Sequence, residues 1–171
     1  ISTPKVIAVS DNYLLTGYIE KGKMSPLFFE NFGEYLAKMH YFEATSFGFY
    51  ENNYIGLNPQ INIPNKAEKT DWVNFYFNKR LLFQYKLAEK NGYVTERLKT
   101  GFNKLEKIIH KILDGTENTP VLLHGDLWNG NYMCGEKGEA FIIDPAVYYG
   151  NREADLAMTK LFGGFPAVFY N

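Results

Sequence analysis

The sequence predicts an α+β fold: two short strands lead into a mostly helical body, and a small hairpin carries the chemistry. Three observations predict it. At the start, the β-branched and aromatic runs Val6–Val9 and Tyr13–Ile19 are separated by the turn residues Ser10-Asp11-Asn12. In the middle, apolar residues recur at spacings of three and four. Near the end, the short runs Tyr132–Cys134 and Ala140–Ile143 flank Gly135-Glu136-Lys137-Gly138, directly after a segment rich in Asp and Asn.

In chain order, the second strand runs into the polar connector Glu20-Lys21-Gly22-Lys23. Ser25-Pro26 then reads as a helix start, with Ser at the N-cap and Pro at the first helical position. Phe28, Phe32, Tyr35, Leu36 and Met39 give that helix one apolar face, and it ends near His40. From Phe47 to Lys66 the pattern breaks at Gly48, Asn52-Asn53, Gly56, Asn58-Pro59 and Pro64, which predicts a long irregular loop. Loops of about 20 residues inside a compact domain are uncommon and are chiefly functional or disordered. The aromatic and Ile content of this one favours a packed, functional loop. Thr70 or Asp71 caps the next helix, Trp72 to about Lys90, which stops at Asn91-Gly92. Thr95 opens another, with Leu98, Phe102, Leu105, Ile109 and Ile112 on one face, ending at Asp114-Gly115. Pro120 precedes the apolar run Val121–Leu123, and a last helix covers Glu153–Phe162.

A chain of 171 residues is long enough to bury a core. With 18 Lys+Arg against 19 Asp+Glu, no global field argues for nucleic acid or a membrane surface as partner. Hydrophobic residues make up 46% and aromatic residues 17%, which excludes disorder. The one cysteine, Cys134, cannot form an internal disulfide, so a reducing, cytoplasmic setting is expected. No apolar run approaches the roughly 20 residues of a membrane span. The chain opens at Ile1 in strand-like sequence and stops at Tyr170-Asn171 without a terminating signal, the expectation for a piece of a longer protein.

The candidate chemistry lies in Val121–Leu156. His124-Gly125-Asp126 is followed by Asn131 and then, after the run Phe141–Ile143, by Asp144. An acid, an amide and a second acid on a loop–strand–loop unit are the parts that phosphoryl transfer needs. One carboxylate orients and deprotonates an attacking hydroxyl, while the amide oxygen and the other carboxylate hold Mg²⁺ against the phosphates of ATP. Order and spacing match the catalytic-loop Asp, the following Asn and the metal-binding Asp of kinases. Taken singly, each has a plainer role: Asp126 a turn acid, Asn131 a left-handed turn residue, Asp144 a strand-end cap before Pro145. Their joint spacing favours Asp126 as base and Asn131 and Asp144 as metal ligands. His124 is assigned a structural role, packing inward and bonding the loop backbone. Gly125 and Gly130 supply backbone conformations that a side chain would hinder. Asp155, at the start of the last helix, is either a surface capping acid or a buried acceptor for the catalytic-loop backbone. Cys134 reads as a packed, unreactive residue, and His40 and His110 show no metal-ligand spacing.

His124-Gly125-Asp126-Leu127-Trp128-Asn129-Gly130-Asn131 resembles the HGDLWxGN signature of the fructosamine (ketosamine) 3-kinases. Asp144-Pro145-Ala146-Val147-Tyr148-Tyr149-Gly150, and then Arg152 to Ala157, resemble the block that follows it in that family. The shorter HGDxxxxN core is shared with aminoglycoside phosphotransferases and choline kinases. Trp128, the Asp144–Gly150 run and Leu161–Phe165 point to the fructosamine kinase branch. The resemblance implies a protein-kinase-like bilobal fold, with 1–19 a remnant of the N-lobe and 20–171 the C-lobe, truncated at its end. It implies transfer of the ATP γ-phosphate to the sugar 3-hydroxyl of a ketosamine on an amine or lysine, a deglycation step. Gly17-Tyr18-Ile19 would be the hinge whose backbone grips adenine, although the family carries an acid near Gly17. Acceptor contacts would come from Trp128 and from the loop Phe47–Ile61.

The same resemblance places the family's phosphate-covering glycine loop, its strand lysine and the helix glutamate before Ile1. The 1–171 piece alone is therefore expected to bind ATP poorly. Other readings are a related kinase acting on an aminoglycoside or choline, and a non-catalytic pseudokinase. A cationic acceptor would call for clustered acids, and the loop Phe47–Ile63 offers only Glu51. An intact Asp126, Asn131 and Asp144 weighs against a pseudokinase. The carboxylates are too few for a two-metal phosphatase.

Overall fold

The computed structural model describes residues 1–116 and 118–171, and its named strands lie in two-stranded antiparallel pairs. The elements are β1 (Val6–Ser10), β2 (Tyr13–Thr16), α1 (Phe28–Met39), β3 (Asn53–Ile55), β4 (Asn58–Gln60) and α2 (Trp72–Tyr76). A π-helical turn, Phe77–Leu82, joins α2 to α3 (Phe83–Lys90). After these come α4 (Glu96–Ile112), β5 (Val121–Leu123), β6 (Tyr132–Cys134), β7 (Ala140–Ile142), β8 (Tyr148–Gly150), α5 (Glu153–Leu161) and the 3₁₀ turn Ala167–Tyr170. The α+β class predicted from the sequence is therefore observed. The chain divides into two compact units: Ile1–Phe42 with His124–Pro145 and Glu153–Asn171, and Glu43–Leu123 with Ala146–Arg152.

In the first unit, β1 and β2 pair from Val6↔Thr16 to Ser10↔Tyr13. The second strand ends at Thr16 rather than Ile19. Gly17 N still donates to Lys5 O at 2.8 Å, but the residue before Lys5 is Pro4, which has no N–H to continue the ladder. Helix α1 begins at Phe28, later than the Ser25-Pro26 signal. The Ser25 carbonyl accepts from Phe28 N at 3.1 Å, so Pro26 occupies a turn that precedes the helix, and the Ser25 side chain makes no cap. Phe28, Phe32 and Leu36 of α1 pack with Leu127, Cys134, Ala140, Ile142, Phe165 and Phe169 into one core. Tyr35 was expected on that face but is 41% exposed. A Cβ on Gly33 would lie 2.2 Å from Phe169 O, so the close seat of the 3₁₀ turn on α1 requires glycine. Burying each large side chain of this core contributes about 1.5–3 kcal/mol.

In the second unit, β5 pairs with β8 from Val121↔Gly150 to Leu123↔Tyr148. The stretch predicted as an irregular loop contains the β3–β4 hairpin, with Tyr54 opposite Pro59. Proline is tolerated there because each strand has only one neighbour. The same stretch is tied down by Gly48 and Tyr149, whose N–H groups each donate to the other's carbonyl at 2.8 Å. Asp71, rather than Thr70, caps α2 and accepts from Asn74 N at 3.0 Å. The π-helical turn carries Arg80, which donates to Ile61 O and Asn62 Oδ1 and lies 3.9 Å over the Tyr148 ring. Thr95 caps α4 as predicted, accepting from Leu98 N at 3.2 Å. The α4 apolar face is partly covered: Ile109 is buried and Phe102 stacks on Tyr85 at 4.1 Å, whereas Leu98 and Ile112 are exposed. No helix among the described residues is long and apolar enough to cross a membrane.

Candidate active site

The loop that follows β5 folds back on itself through two short turns. Trp128 N donates to Asp126 O at 3.2 Å, and Asn131 N donates to Trp128 O at 2.9 Å. Gly125 takes φ +82, a left-handed conformation that suits glycine. Leu127, wholly buried in the first core, pins the middle of the loop. The turns bring Asn131 onto Asp126: Asn131 Nδ2 donates to the Asp126 carbonyl at 2.8 Å and to its carboxylate Oδ2 at 3.1 Å. The β6–β7 pairing then carries the chain back, and Ile143 N donates to Asn131 O at 3.0 Å. Asn131 Nδ2 also lies 3.5 Å from the Asp144 backbone carbonyl, which brings the backbone of Asp144 next to the amide.

Asp144 has φ +50, the one positive value outside glycine among the described residues. Asp tolerates this region better than most residues, yet holding it there is strained and typical of functional positions. The side chain is exposed. Burial pushes the Asp126 carboxyl above its ordinary value, and the hydrogen bond from Asn131 opposes the rise.

His124 is buried, and its two ring nitrogens have different partners. Nε2 donates to Ile143 O at 2.9 Å, while Nδ1 accepts from Asp126 N at 3.2 Å. These roles fit the neutral Nε2–H tautomer, and burial lowers the imidazole pKa, which agrees. The ring thus bridges the residue before Asp144 and the backbone of Asp126. Asp155 is 1% exposed and accepts His124 N at Oδ2 (2.9 Å) and Gly125 N at Oδ1 (2.8 Å). Of the two readings left open for Asp155, the buried acceptor matches this geometry. His40, which shows no metal-ligand spacing in the sequence, has its Nε2 3.1 Å from Asp155 Oδ2 with both side chains buried. No sequence signal pairs residues 115 positions apart.

Trp128 is half-buried against Phe162, with ring centroids 5.4 Å apart. Its ring passes so close to Gly130 that a Cβ there would lie 2.4 Å from Cζ2. Tyr18, in the connector after β2, is exposed, and the backbone groups of Tyr18 and Ile19 join no backbone hydrogen bond among the described residues. A cleft of about 320 Å³ beside them is lined by Lys5, Gly17–Glu20 and Glu139, among others.

The donor set suits a hard divalent cation. The Asn131 amide hydrogens face Asp126, so its Oδ1 remains as a neutral oxygen donor, and Asp144 adds an exposed carboxylate. No group of three or more His, Cys, Asp or Glu able to hold a metal occurs among the described residues. Mg²⁺ takes one or two protein carboxylates and fills its octahedron with phosphate and water.

The fructosamine kinase family model matches residues 1–171. A probable ketoamine kinase of Enterococcus faecium is 38% identical over 157 residues, covering 92% of this chain and 54% of that protein. The chloroplastic protein-ribulosamine 3-kinase of Arabidopsis thaliana is 40% identical over 141 residues, covering 81% of this chain and 41% of that protein. A crystal structure of a Thermobifida fusca protein described as a fructosamine-3-kinase superposes with a TM-score of 0.81 at 36% identity, covering 96% of this chain and 55% of that one. The chain thus spans about half the length of the curated relatives it matches.

Proposed function

The chain belongs to the fructosamine kinase family, and on that premise we propose that the full-length protein is an ATP- and Mg²⁺-dependent ketosamine 3-kinase. Its acceptor is a fructosamine or ribulosamine adduct on an amine or lysine, phosphorylated at the sugar 3-hydroxyl. The architecture we propose is the kinase-like bilobal one, with 1–19 the end of the N-lobe and 20–171 the C-lobe. The observation that carries the reading is the double hydrogen bond from Asn131 to Asp126, which holds an acid and an amide oxygen together in one loop.

Asp126 would orient the acceptor hydroxyl and take its proton as that oxygen bonds the γ-phosphorus and the bond to the departing ADP breaks. Asn131 fixes Oδ2 of that carboxylate, which leaves Oδ1 to accept the proton. Because the transition state is loose, aiming the nucleophile matters more than base strength. Asn131 Oδ1 and the Asp144 carboxylate would hold the metal, and the backbone of Gly17, Tyr18 and Ile19 would take the adenine edge. Mg²⁺-ATP, when bound, supplies the phosphoryl group and the positive charge that offsets its phosphate oxygens. His124 and Asp155 hold the loop in place. Trp128 presents a half-buried aromatic face suited to the apolar side of a sugar. The single buried thiol, Cys134, supports a reducing, cytoplasmic setting.

The names of the relatives support the acceptor class. The test is ³¹P NMR of the full-length protein with ATP, Mg²⁺ and either a fructosamine, a ribulosamine, an aminoglycoside or choline. A new phosphomonoester on the ketosamine alone is expected. Transfer only to another acceptor would overturn the substrate, and nucleotide binding without ADP formation would leave a pseudokinase.

A further inference from the structure

Phosphoryl transfer as derived above makes no use of His40, yet this imidazole is one of the most deeply buried titratable groups in the first unit. It sits at the end of α1, where its backbone N–H closes on Leu36 O at 3.0 Å, and α1 itself is locked by Phe28, Phe32 and Leu36 in the core. From that fixed point its Nε2 reaches Asp155 Oδ2 at 3.1 Å. The same oxygen accepts His124 N at 2.9 Å, and the other oxygen accepts Gly125 N at 2.8 Å. Three donors thus meet at this carboxylate: the His40 ring and two backbone amides just ahead of Asp126. A carboxylate with no exposed side-chain surface keeps its charge and its aim only while its lone pairs are filled.

We propose that His40 is a positioning residue for the catalytic loop. It anchors Asp155 to α1, and Asp155 in turn fixes the His124 and Gly125 amides and thereby the direction of Asp126. Nε2–H is the donor, because an ionised carboxylate can only accept. Without that donor, Oδ2 keeps the His124 amide but loses its tie to α1. The carboxylate is then free to turn toward another donor, and the loop loses its fixed point. His40 touches neither Asp126 nor Asn131, so its effect falls on the rate of the chemical step and not on affinity. The inference rests on the reading of Asp126 as the base.

The test compares full-length wild type with His40→Gln, His40→Asn and His40→Met. Gln can present its Nε2 close to where the imidazole Nε2 lies, Asn is too short to reach, and Met fills the space without a donor. Loss of kcat on the order of tenfold to a hundredfold is expected for Asn and Met, with KM for both substrates unchanged and with recovery in Gln. Amide hydrogen exchange at His124 and Gly125 should rise in Asn and Met and stay near wild type in Gln. Exchange is read without turnover, so it still decides the matter if the ketosamine assay itself fails. Equal kcat loss in Gln and Asn, or unchanged exchange at both amides in Asn and Met, would overturn the proposal. If Met does not fold, the Gln–Asn pair alone makes the comparison.

Discussion

Asn131 Nδ2 lies 2.8 Å from the Asp126 carbonyl and 3.1 Å from Asp126 Oδ2, so the proposed metal ligand also aims the proposed base. The two roles use opposite ends of one amide. Asn131→Asp keeps an oxygen for the metal but removes both donors and sets a second negative charge beside Asp126. Turnover of the full-length enzyme should fall by about 100-fold or more, and the acid limb of its pH profile should move up. A rate–pH profile at saturating Mg²⁺ checks this, and an unmoved limb would separate the two roles.

Trp128 and Gly130 are coupled by contact. A Cβ on Gly130 would meet the Trp128 ring at 2.4–2.9 Å, so Gly130→Ala must displace the ring. Gly130 has no positive φ, so strain is not the cause. If Trp128 faces the acceptor, KM for the ketosamine should rise several-fold, worth about 1 kcal/mol, while KM for ATP holds. Steady-state kinetics with each substrate varied decides it.

Burial holds the His124 imidazole below its ordinary value of 6.5, so the folded state favours the neutral ring and the unfolded chain binds the proton more readily. Stability then rises with pH wherever the unfolded state carries more protons. The contribution is whole above about pH 6.5 and is lost as pH falls through the depressed folded value. Urea midpoints between pH 5 and 8 should drop on the acid side, and the drop should shrink in His124→Gln. A midpoint that rises on acidification would contradict the neutral assignment.

Leu127 links the candidate site to the core. It is wholly buried beside Phe28, Phe32 and Ile142, between Asp126 and Trp128 in the loop. Leu127→Ala should cost about 2–5 kcal/mol of unfolding free energy, and urea denaturation measures it. A loss under about 1 kcal/mol would mean that the loop relaxes into the space.

Features carried by local chemistry were legible in the sequence. Asp126, Asn131 and Asp144 stood out by spacing, and the caps at Asp71 and Thr95 are set by side chains next to the helices they start. The short strands were harder. β8 has three residues and pairs with β5, a partner distant in the chain, so no period within Tyr148–Gly150 could announce it. The β3–β4 hairpin was hidden by Pro59 and by polar residues whose side chains bond within the loop, as Asn62 Nδ2 does to Asn53 Oδ1. Periodicity marked an apolar face on α4 but could not say whether anything covers it. The anchor behind Asp126 was only half legible. Asp155 could be named as a possible acceptor, whereas His40 required the fold to bring α1 and α5 together.

Single-turnover transfer from labelled ATP to a protein-bound ribulosamine, by full-length wild type and Asp126→Asn side by side, is the most direct measurement. Label should reach the sugar 3-hydroxyl in the wild type, and the variant should be slower by at least about 1,000-fold with nucleotide affinity kept. A variant rate within about tenfold of wild type would contradict the assignment of Asp126 as the base.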